Sequence, residues 1–100
     1  MAKQSFAEKV YKITAQIPKG KIATYKCIAE RLNCKAYRAV GTALNKNPYA
    51  PQVPCHRVIN ANGKLGGFAS GLKNKIKLLR QEGIVIENNK INVEKFGVKW

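Results

Sequence analysis

The chain has one hundred residues, of which nineteen are Lys or Arg and five are Asp or Glu, so its formal net charge is +14 at pH 7. This length predicts one small domain over residues 1–100 with a modest core, and it excludes large multi-domain chemistry. The charge predicts a polyanionic partner, most often nucleic acid, although a lysine-rich surface for solubility or an AT-rich genome would give a similar composition.

A first amphipathic helix is predicted at roughly residues 6–16. Ser5 and Glu8 form a capping box, in which the two residues satisfy orphan backbone donors at the start of the helix. Apolar residues then follow at helical spacing, namely Phe6, Val10, Ile13 and Ile17. Pro18 and Gly20 end this helix.

Two further short helices predict a helix-turn-helix. Thr24 can cap the first, whose buried stripe is Cys27, Ile28, Ala29 and Leu32. After a tight connection at 33–35, the second runs at about 36–46 and stops at Asn47 and Pro48. Its apolar positions are mostly small, which would let its backbone approach a narrow surface; they are Ala36, Ala39, Val40, Ala43 and Leu44.

The middle of the chain predicts loops around a short strand. A proline-rich loop at 47–54 precedes a buried strand that starts at 58–59, and residues 60–63 form a turn. The glycine-rich segment at 65–71 lacks the sequence context of a phosphate-binding or dinucleotide-binding loop. Close packing of the backbone around a pocket explains these glycines better than a nucleotide-binding role does.

The last third of the chain predicts a fourth helix and a hairpin. The helix covers about 72–82, buries Leu72, Ile76 and Leu79, and ends at Gly83. Residues 84–86 and 90–93 flank Asn88 and Asn89 as a small hairpin. The predicted fold class is mainly α with small β elements, a winged-helix-like helix-turn-helix domain with a short C-terminal hairpin.

Cys55 is followed directly by His56, which is the one histidine of the chain. A thiolate, not a thiol, attacks electrophiles, and a neighbouring imidazole increases the thiolate fraction near neutral pH. Pro51 and Pro54 stiffen the approach to this pair. The pattern predicts a nucleophile beside a base, although a lone cysteine in an apolar stretch is more often a small core residue.

The cysteine and histidine content indicates neither a disulfide framework nor a metal centre. The three cysteines are odd in number and not closely paired, and no C-x-x-C motif is present. No apolar run is long enough to span a membrane, and the N-terminus lacks the pattern of a signal peptide. We therefore expect a cytoplasmic, reducing setting and no contact with a membrane.

The run from Phe6 to about Ile91 resembles the C-terminal, DNA-binding domain of the O6-alkylguanine-DNA alkyltransferases, the methylated-DNA–protein-cysteine methyltransferases. The matching segments occur in the same order and spacing; they are 20–25, 38–41, 47–48, 54–59, 63–72 and 78–83. The resemblance implies a DNA repair protein that moves an alkyl group irreversibly from guanine to its own cysteine, once per molecule. It also implies a monomer without cofactor or metal, which binds double-stranded DNA containing O6-alkylguanine.

The resemblance implies that Cys55 is the alkyl acceptor and that His56 acts through a water as its base. Glu82 would hold the imidazole in the correct tautomer, although a solvated carboxylate at a helix end is the alternative. Tyr25 would donate its hydroxyl toward the guanine or the adjoining phosphate, and it could also be an ordinary core aromatic. Asn47 would brace the turn between the recognition helix and the active segment.

The resemblance also implies a set of DNA contacts. Arg38 would enter the base stack where the nucleotide has been extruded through the minor groove; a solvated surface charge is the alternative. Ala36 and Tyr37 precede it on the same helix. Backbone groups at Cys55, Val58 and Ser70 would read the guanine edges, and Arg57 would pair within the fold or with phosphate.

Some features depart from the family pattern. The usual N-terminal domain is expected to be absent, because the first capped helix starts at residue 5. Phe68 replaces a frequent Tyr, Ala69 replaces a Ser found in some members, and Tyr37 stands where small residues are common. Short alkyltransferase-like proteins without the acceptor cysteine bind lesions without chemistry, so a lesion sensor is the alternative function. A generic helix-turn-helix DNA binder is a weaker third possibility.

Overall fold

The computed structural model describes residues 5–49, 52–66 and 71–99. Five α-helices cover Phe6–Thr14 (α1), Tyr25–Arg31 (α2), Tyr37–Asn45 (α3), Leu72–Gln81 (α4) and Val93–Phe96 (α5). A single 3₁₀ turn at Cys55–Arg57 leads into strand β2, Val58–Ile59. This strand pairs in parallel with β1, Ala23–Thr24, with Ala23 opposite Val58. The predicted fold class, mainly α with small β elements, is confirmed.

The predicted caps set the starts of the first two helices. The Ser5 hydroxyl oxygen accepts a hydrogen bond from the Glu8 N–H at 3.1 Å, and the Thr24 hydroxyl oxygen accepts one from the Cys27 N–H at 3.0 Å. α1 ends at Thr14, two residues before its predicted end. Thr14 donates its own hydroxyl to the Val10 carbonyl at 2.8 Å.

Two apolar clusters form the core. The first joins α1, α2 and α3 to the strands and contains Val10, Ile17, Ala23, Ile28, Ala29, Val40, Ala43, Leu44 and Val58. The second lies between the strands, α4 and the C-terminal segment and contains Ile22, Ile59, Leu65, Leu79, Ile84 and Ile91. Because the paired strands contribute to both clusters, the turn that carries Cys55 is attached to the shared centre of the fold.

Two predictions about the core and hairpin need correction. Leu72 was predicted to be buried, but it is 44% exposed at the first position of α4; Phe6, at the first position of α1, is 38% exposed although it follows the apolar spacing of that helix. Of the predicted hairpin, the turn forms: Asn88 and Asn89 have positive φ, and Glu87 and Lys90 pair as an isolated antiparallel bridge. Beyond the turn, Lys90 and Ile91 pair with the segment at Gly63 and Lys64 rather than with 84–86, and the Asn92 side chain then caps α5.

Among the described residues, none of the helices is both long and apolar enough to cross a membrane.

Candidate active site and adjoining groove

The backbone around Cys55 is fixed on both sides of the cysteine. The Cys55 N–H donates to the Val53 carbonyl at 2.8 Å, and the Cys55 carbonyl accepts from the Val58 N–H. Cys55 is half-buried and packs against the first apolar cluster. The thiol therefore lies on an ordered turn at the entrance to β2, as the sequence predicted.

Asn47 connects the end of α3 to the loop before Cys55. Its side-chain amide donates to the Val53 carbonyl at 2.8 Å, and its side-chain oxygen accepts from the Tyr49 N–H at 2.9 Å. Val53 thus receives hydrogen bonds from both Asn47 and Cys55. This geometry is the one expected of a residue that braces the turn between the third helix and the active segment.

His56 and Arg57, which follow Cys55 on the 3₁₀ turn, form a largely buried network with Glu82. His56 Nε2 lies 3.0 Å from Glu82 Oε2. Arg57 donates through Nε to Glu82 Oε1 at 2.8 Å and through Nη2 to Oε2 at 2.6 Å, while its Nη1 reaches the Ile17 carbonyl at 2.8 Å. The Glu82 side chain is 11% exposed, so it is not a solvated carboxylate at a helix end. Arg57 pairs within the fold, one of the two roles predicted for it.

The electrostatics of this network define the state of the imidazole. Burial acts to raise the pKa of Glu82, but the hydrogen bonds from Arg57 and His56 outweigh burial and hold that pKa below its ordinary value. Burial lowers the pKa of His56, and this effect exceeds the opposing influence of Glu82. At neutral pH the carboxylate is therefore ionised and the imidazole neutral. Since a carboxylate only accepts, Nε2 carries the proton and Nδ1 keeps a free lone pair.

Lys75 lies behind the same strand and is fully buried. Its ammonium group donates to the Val58 carbonyl at 2.7 Å and to the Leu65 carbonyl at 2.5 Å. Burial lowers the pKa of Lys75 to about 8, while the charge on Cys55 acts in the opposite direction. The Lys75 side chain is thus mostly protonated at pH 7.

An open groove of about 570 Å³ lies beside the helix-turn-helix. Tyr25 and Lys26 at the start of α2 line it together with Tyr37 and Arg38 at the start of α3. Further lining residues are Gly41, Thr42, Asn45, Asn60 and Ala61. The groove thus carries two cationic side chains and two phenolic rings without an acidic residue.

Tyr25 connects this groove to the neighbourhood of the cysteine. Its ring packs against the first apolar cluster, as Cys55 does, and also lines the groove. Burial raises the pKa of Tyr25, and the charge on Cys55 raises it further. The hydroxyl therefore remains protonated at neutral pH and is available as a hydrogen-bond donor.

Residues 5–84 match the family described as the DNA-binding domain of 6-O-methylguanine DNA methyltransferase. The chain belongs to this family. The methylated-DNA–protein-cysteine methyltransferase of Methanosarcina mazei is 56% identical over 85 residues, which are 84% of this chain and 51% of that protein. Its counterpart in Metallosphaera sedula is 47% identical over 83 residues, which are 83% and 52% of the two chains. The chain thus spans about half the length of these curated relatives.

Solved structures confirm the family fold. The S. pombe Atl1 protein, in complex with damaged DNA containing O6-carboxymethylguanine, superposes with a TM-score of 0.87 at 30% identity over all of both chains. The Mycobacterium tuberculosis OGT protein, in complex with DNA, superposes with a TM-score of 0.76 at 41% identity, covering 82% of this chain and 51% of the other. The resemblance read from the sequence is therefore confirmed at the level of family and fold.

The structure brings together some of the predicted site residues of this family and separates others. Cys55 and His56 share the 3₁₀ turn, His56 pairs with Glu82 at the end of α4, and Asn47 bonds the loop before Cys55 through the Val53 carbonyl. Tyr25, Tyr37 and Arg38 meet at the groove, and Ala36 caps α3 nearby without a side-chain hydrogen bond. Val58 contributes a carbonyl that Lys75 engages. Ser70, like Phe68 and Ala69, lies outside the described residues.

Lys75 is the site residue that the sequence analysis missed. It lies between Leu72 and Leu79, next to Ile76, and so occupies the apolar stripe of a helix whose other lysines are on the polar face. A charged residue inside an apolar stripe was the available signal, because lysine is almost never fully buried without partners. No cluster of three or more metal-ligating side chains is found in residues 5–49, 52–66 and 71–99.

Proposed function

We propose that this chain transfers an alkyl group from the O6 atom of an alkylated guanine in double-stranded DNA to Sγ of Cys55. The observation that carries the proposal is the hydrogen bond between Glu82 and His56, the residue that follows a half-buried cysteine on the same hydrogen-bonded turn. The family membership supports the same chemical class, because its relatives are named methylated-DNA–protein-cysteine methyltransferases. One domain formed by residues 1–100 would perform the reaction.

The residues of the network have complementary roles in the transfer. Nδ1 of neutral His56 accepts the thiol proton through a bridging water, and Glu82 stabilises the resulting imidazolium. The thiolate then forms a carbon–sulfur bond with the alkyl carbon as the carbon–oxygen bond to guanine breaks. The electron pair of that bond stays on the guanine, which takes up one proton with help from the Tyr25 hydroxyl. In sum, the thiol proton is exchanged for the alkyl group, and no other reactant is needed.

The groove supports the delivery of the base to the thiol. A base inside a duplex hides its O6 substituent, so the nucleotide must be flipped at a cost of about a few kcal/mol. Arg38 lies exposed at the first turn of α3, where it can fill the gap left in the stack. Two of its exposed neighbours, Ala36 and Ala39, are small, whereas Tyr37 is bulky and 40% exposed; Val40 and Ala43 face the core. Phosphate neutralisation by the basic surface supplies binding energy that weakens with salt.

The decisive experiment measures the mass of the intact chain after incubation with a duplex that contains O6-methylguanine. We expect a gain of one methyl group per molecule in the wild-type chain and in Cys27→Ala, and no gain in Cys55→Ala. Cys27 is a matched control because it is also a half-buried free cysteine. An unchanged mass under conditions where the lesion-containing duplex is demonstrably bound would rule out the transfer.

A lesion sensor without transfer is the second candidate. The observation that favours it is the superposition on the S. pombe Atl1 complex over the whole of both chains, because that protein was crystallised with alkylated DNA. The sensor predicts that Cys55→Ala retains the affinity for the lesion and that the wild-type chain never forms an adduct. A generic helix-turn-helix binder would instead show equal affinity for alkylated and unmodified duplexes.

A further inference from the structure

Helix α4 carries a row of exposed cations on the side opposite to its buried residues. Lys73, Lys77 and Arg80 are exposed, whereas Lys75 and Leu79 are buried. At about 3.6 residues per turn, the three exposed side chains lie roughly half a turn away from the two buried ones. Lys73, Lys77 and Arg80 form what we call the cationic face of α4, which points away from the core.

No acidic residue of α4 balances these charges, since the helix contains neither Asp nor Glu from Leu72 to Gln81. The nearest acid that follows along the chain, Glu82, is bonded to His56 and Arg57 instead. A shallow groove of about 600 Å³ runs along the cationic face, with Ile76 and Gln81 as its other lining residues. The face therefore offers positive charge beside an accessible concave surface.

The arrangement of these cations is unfavourable for the helix itself. Lys73 and Lys77 lie four residues apart, and like charges at this spacing destabilise a helix. Lys73 is also the second residue of α4, where the helix dipole disfavours a positive charge. A face that served solubility alone would mix the two signs, because a Glu four residues before a Lys stabilises a helix. An anionic partner bound at the face would offset this cost.

The cationic face of α4 and the groove of the helix-turn-helix lie on opposite sides of the paired strands. Ala23 and Val58 belong to the first apolar cluster, whereas their chain neighbours Ile22 and Ile59 belong to the second. Because successive side chains of a strand point to opposite faces, the two clusters cover the two faces of the strand pair. α2 and α3 pack on the first cluster, and α4 packs on the second through Leu79.

This placement decides which piece of DNA could reach each surface. A duplex is stiff over about 150 base pairs, so a short duplex that lies in the groove would have to bend sharply to reach α4 as well. A second, separate segment of DNA can approach the cationic face without any bending.

The spacing of the cations fits a phosphate backbone. From Lys73 to Arg80 the helix rises by about 10.5 Å, and one strand of a duplex presents about three phosphates over that length. Duplex DNA fits this row better than an acidic polypeptide does, because its charges are held at a fixed spacing and it releases condensed counterions on binding.

We propose that the cationic face of α4 binds the sugar-phosphate backbone of a second DNA segment, so that one molecule bridges two duplexes. The inference rests on the proposed function in one respect, namely that the first duplex occupies the groove at α2 and α3. It does not depend on methyl transfer to Cys55.

The test mixes two short unmodified duplexes, one labelled with a donor fluorophore and the other with an acceptor. We expect the full chain to produce energy transfer between them when it is scarcer than the DNA, and sedimentation should show one protein with two duplexes. The affinity for the second duplex should fall with salt at a slope of about −2.7 on logarithmic axes, as three phosphate contacts require.

A charge-matched pair of variants locates the second contact. The first variant removes the cationic face and carries Lys73→Gln, Lys77→Gln and Arg80→Gln. The control variant removes three exposed lysines of α1 and the loop after it, through Lys9→Gln, Lys12→Gln and Lys19→Gln. Affinity for the second duplex should fall by about tenfold or more in the first variant and stay close to the wild-type value in the control. Circular dichroism checks that both variants are folded.

Three outcomes would overturn the proposal. Equal losses in the two variants would mean that bridging follows net charge alone. Complexes with two proteins and two duplexes would assign bridging to contacts between proteins. Displacement of the second duplex by polyglutamate at an equal or lower concentration of charge would show that the face fits an acidic polypeptide better.

Bridging and transfer are measured separately, so their failures are distinguishable. Bridging by a wild-type chain that gains no methyl group would leave the inference standing and remove the proposed transfer. Methyl transfer by a chain that never bridges two duplexes would remove the inference and leave the proposed function intact.

Discussion

Replacing Glu82 by Gln should separate the structural role of this carboxylate from its role in proton transfer. Glu82 accepts three hydrogen bonds, at 2.6 and 2.8 Å from Arg57 and at 3.0 Å from His56. A glutamine has one accepting oxygen and one NH2 donor, so at least one charge-assisted hydrogen bond is lost and an N–H group meets another donor. Each such bond contributes about 1.5–3 kcal/mol, so we expect the free energy of unfolding to fall by about 3 kcal/mol. For a chain of this size, this corresponds to a Tm lower by about 12–24 °C.

The effect on methyl transfer should be larger than the loss of stability explains. The amide can select either tautomer of His56 and cannot stabilise the imidazolium, so the rate of transfer should fall by about 10²-fold to 10⁴-fold. The assay follows the methylated mass over time in single-turnover conditions, at a temperature where circular dichroism shows a folded chain.

Arg57→Gln is the matched control for this prediction. It breaks the same ion pair and the contact to Ile17, but it leaves the Glu82–His56 hydrogen bond in place. The loss of stability should be comparable to that of Glu82→Gln, and the transfer rate should stay within about fivefold of the wild-type value. Equal rates in the two folded variants would refute the assignment of Glu82 as the residue that orients the imidazole.

Three other predictions follow from the same geometry. The pKa of Glu82 lies below its ordinary value of 4.5 and that of His56 below 6.5, so the unfolded state binds more protons than the folded state as the pH falls. Thermal melts should therefore show the stability of the chain declining below about pH 6.5 and further below about pH 4.5. The second decline should be absent in Glu82→Gln. Arg38→Ala should slow methyl transfer more than it weakens binding to an unmodified duplex, measured by single-turnover kinetics and fluorescence anisotropy, and equal losses would contradict the insertion of Arg38 into the stack. Gly66→Ala should lower the Tm, because Gly66 has φ of +73° and an added Cβ would lie 3.3 Å from the Tyr25 ring and hydroxyl. Gly41→Ala is the control: in α3 an added Cβ meets Tyr25 only at 3.9 Å, so the higher helix propensity of alanine should stabilise the folded chain by up to about 1 kcal/mol.

Local sequence signals predicted the structure correctly wherever it depends on residues only a few positions apart in the chain. The Ser5 and Thr24 caps are local, because each side chain bonds to a backbone N–H three residues away. The same applies to the helix-turn-helix periodicity and to the left-handed turn at Asn88 and Asn89. The resemblance to the alkyltransferases added the pairing of His56 with Glu82, which lie 26 residues apart and which periodicity alone could not connect.

Other features depended on long-range packing and were misread or missed. Phe6 and Leu72 follow the apolar spacing of their helices, yet each is the first residue of its helix and is 38% or 44% exposed. The pattern at 90–93 fits a strand, but the Asn92 side chain caps a helix there instead. Lys75 looks like a surface residue by type, and only the packing of β2 and of the segment at Leu65 against α4 supplies the two carbonyls to which it donates.

The sequence by itself determined the adjacent Cys55–His56 pair, the high positive charge and the order of the helices, because these depend on residue identity and short spacing. Only the tertiary structure decided which charges share a buried environment. Arg57 comes from the 3₁₀ turn, whereas Lys75 and Glu82 come from α4 and its C-terminal end. The pKa values of Glu82 and Lys75 depend on desolvation and on hydrogen-bond partners that the folded chain brings within 3 Å. Burial is a property of the assembled core, so the electrostatics around Cys55 become defined only when α4 packs against its turn.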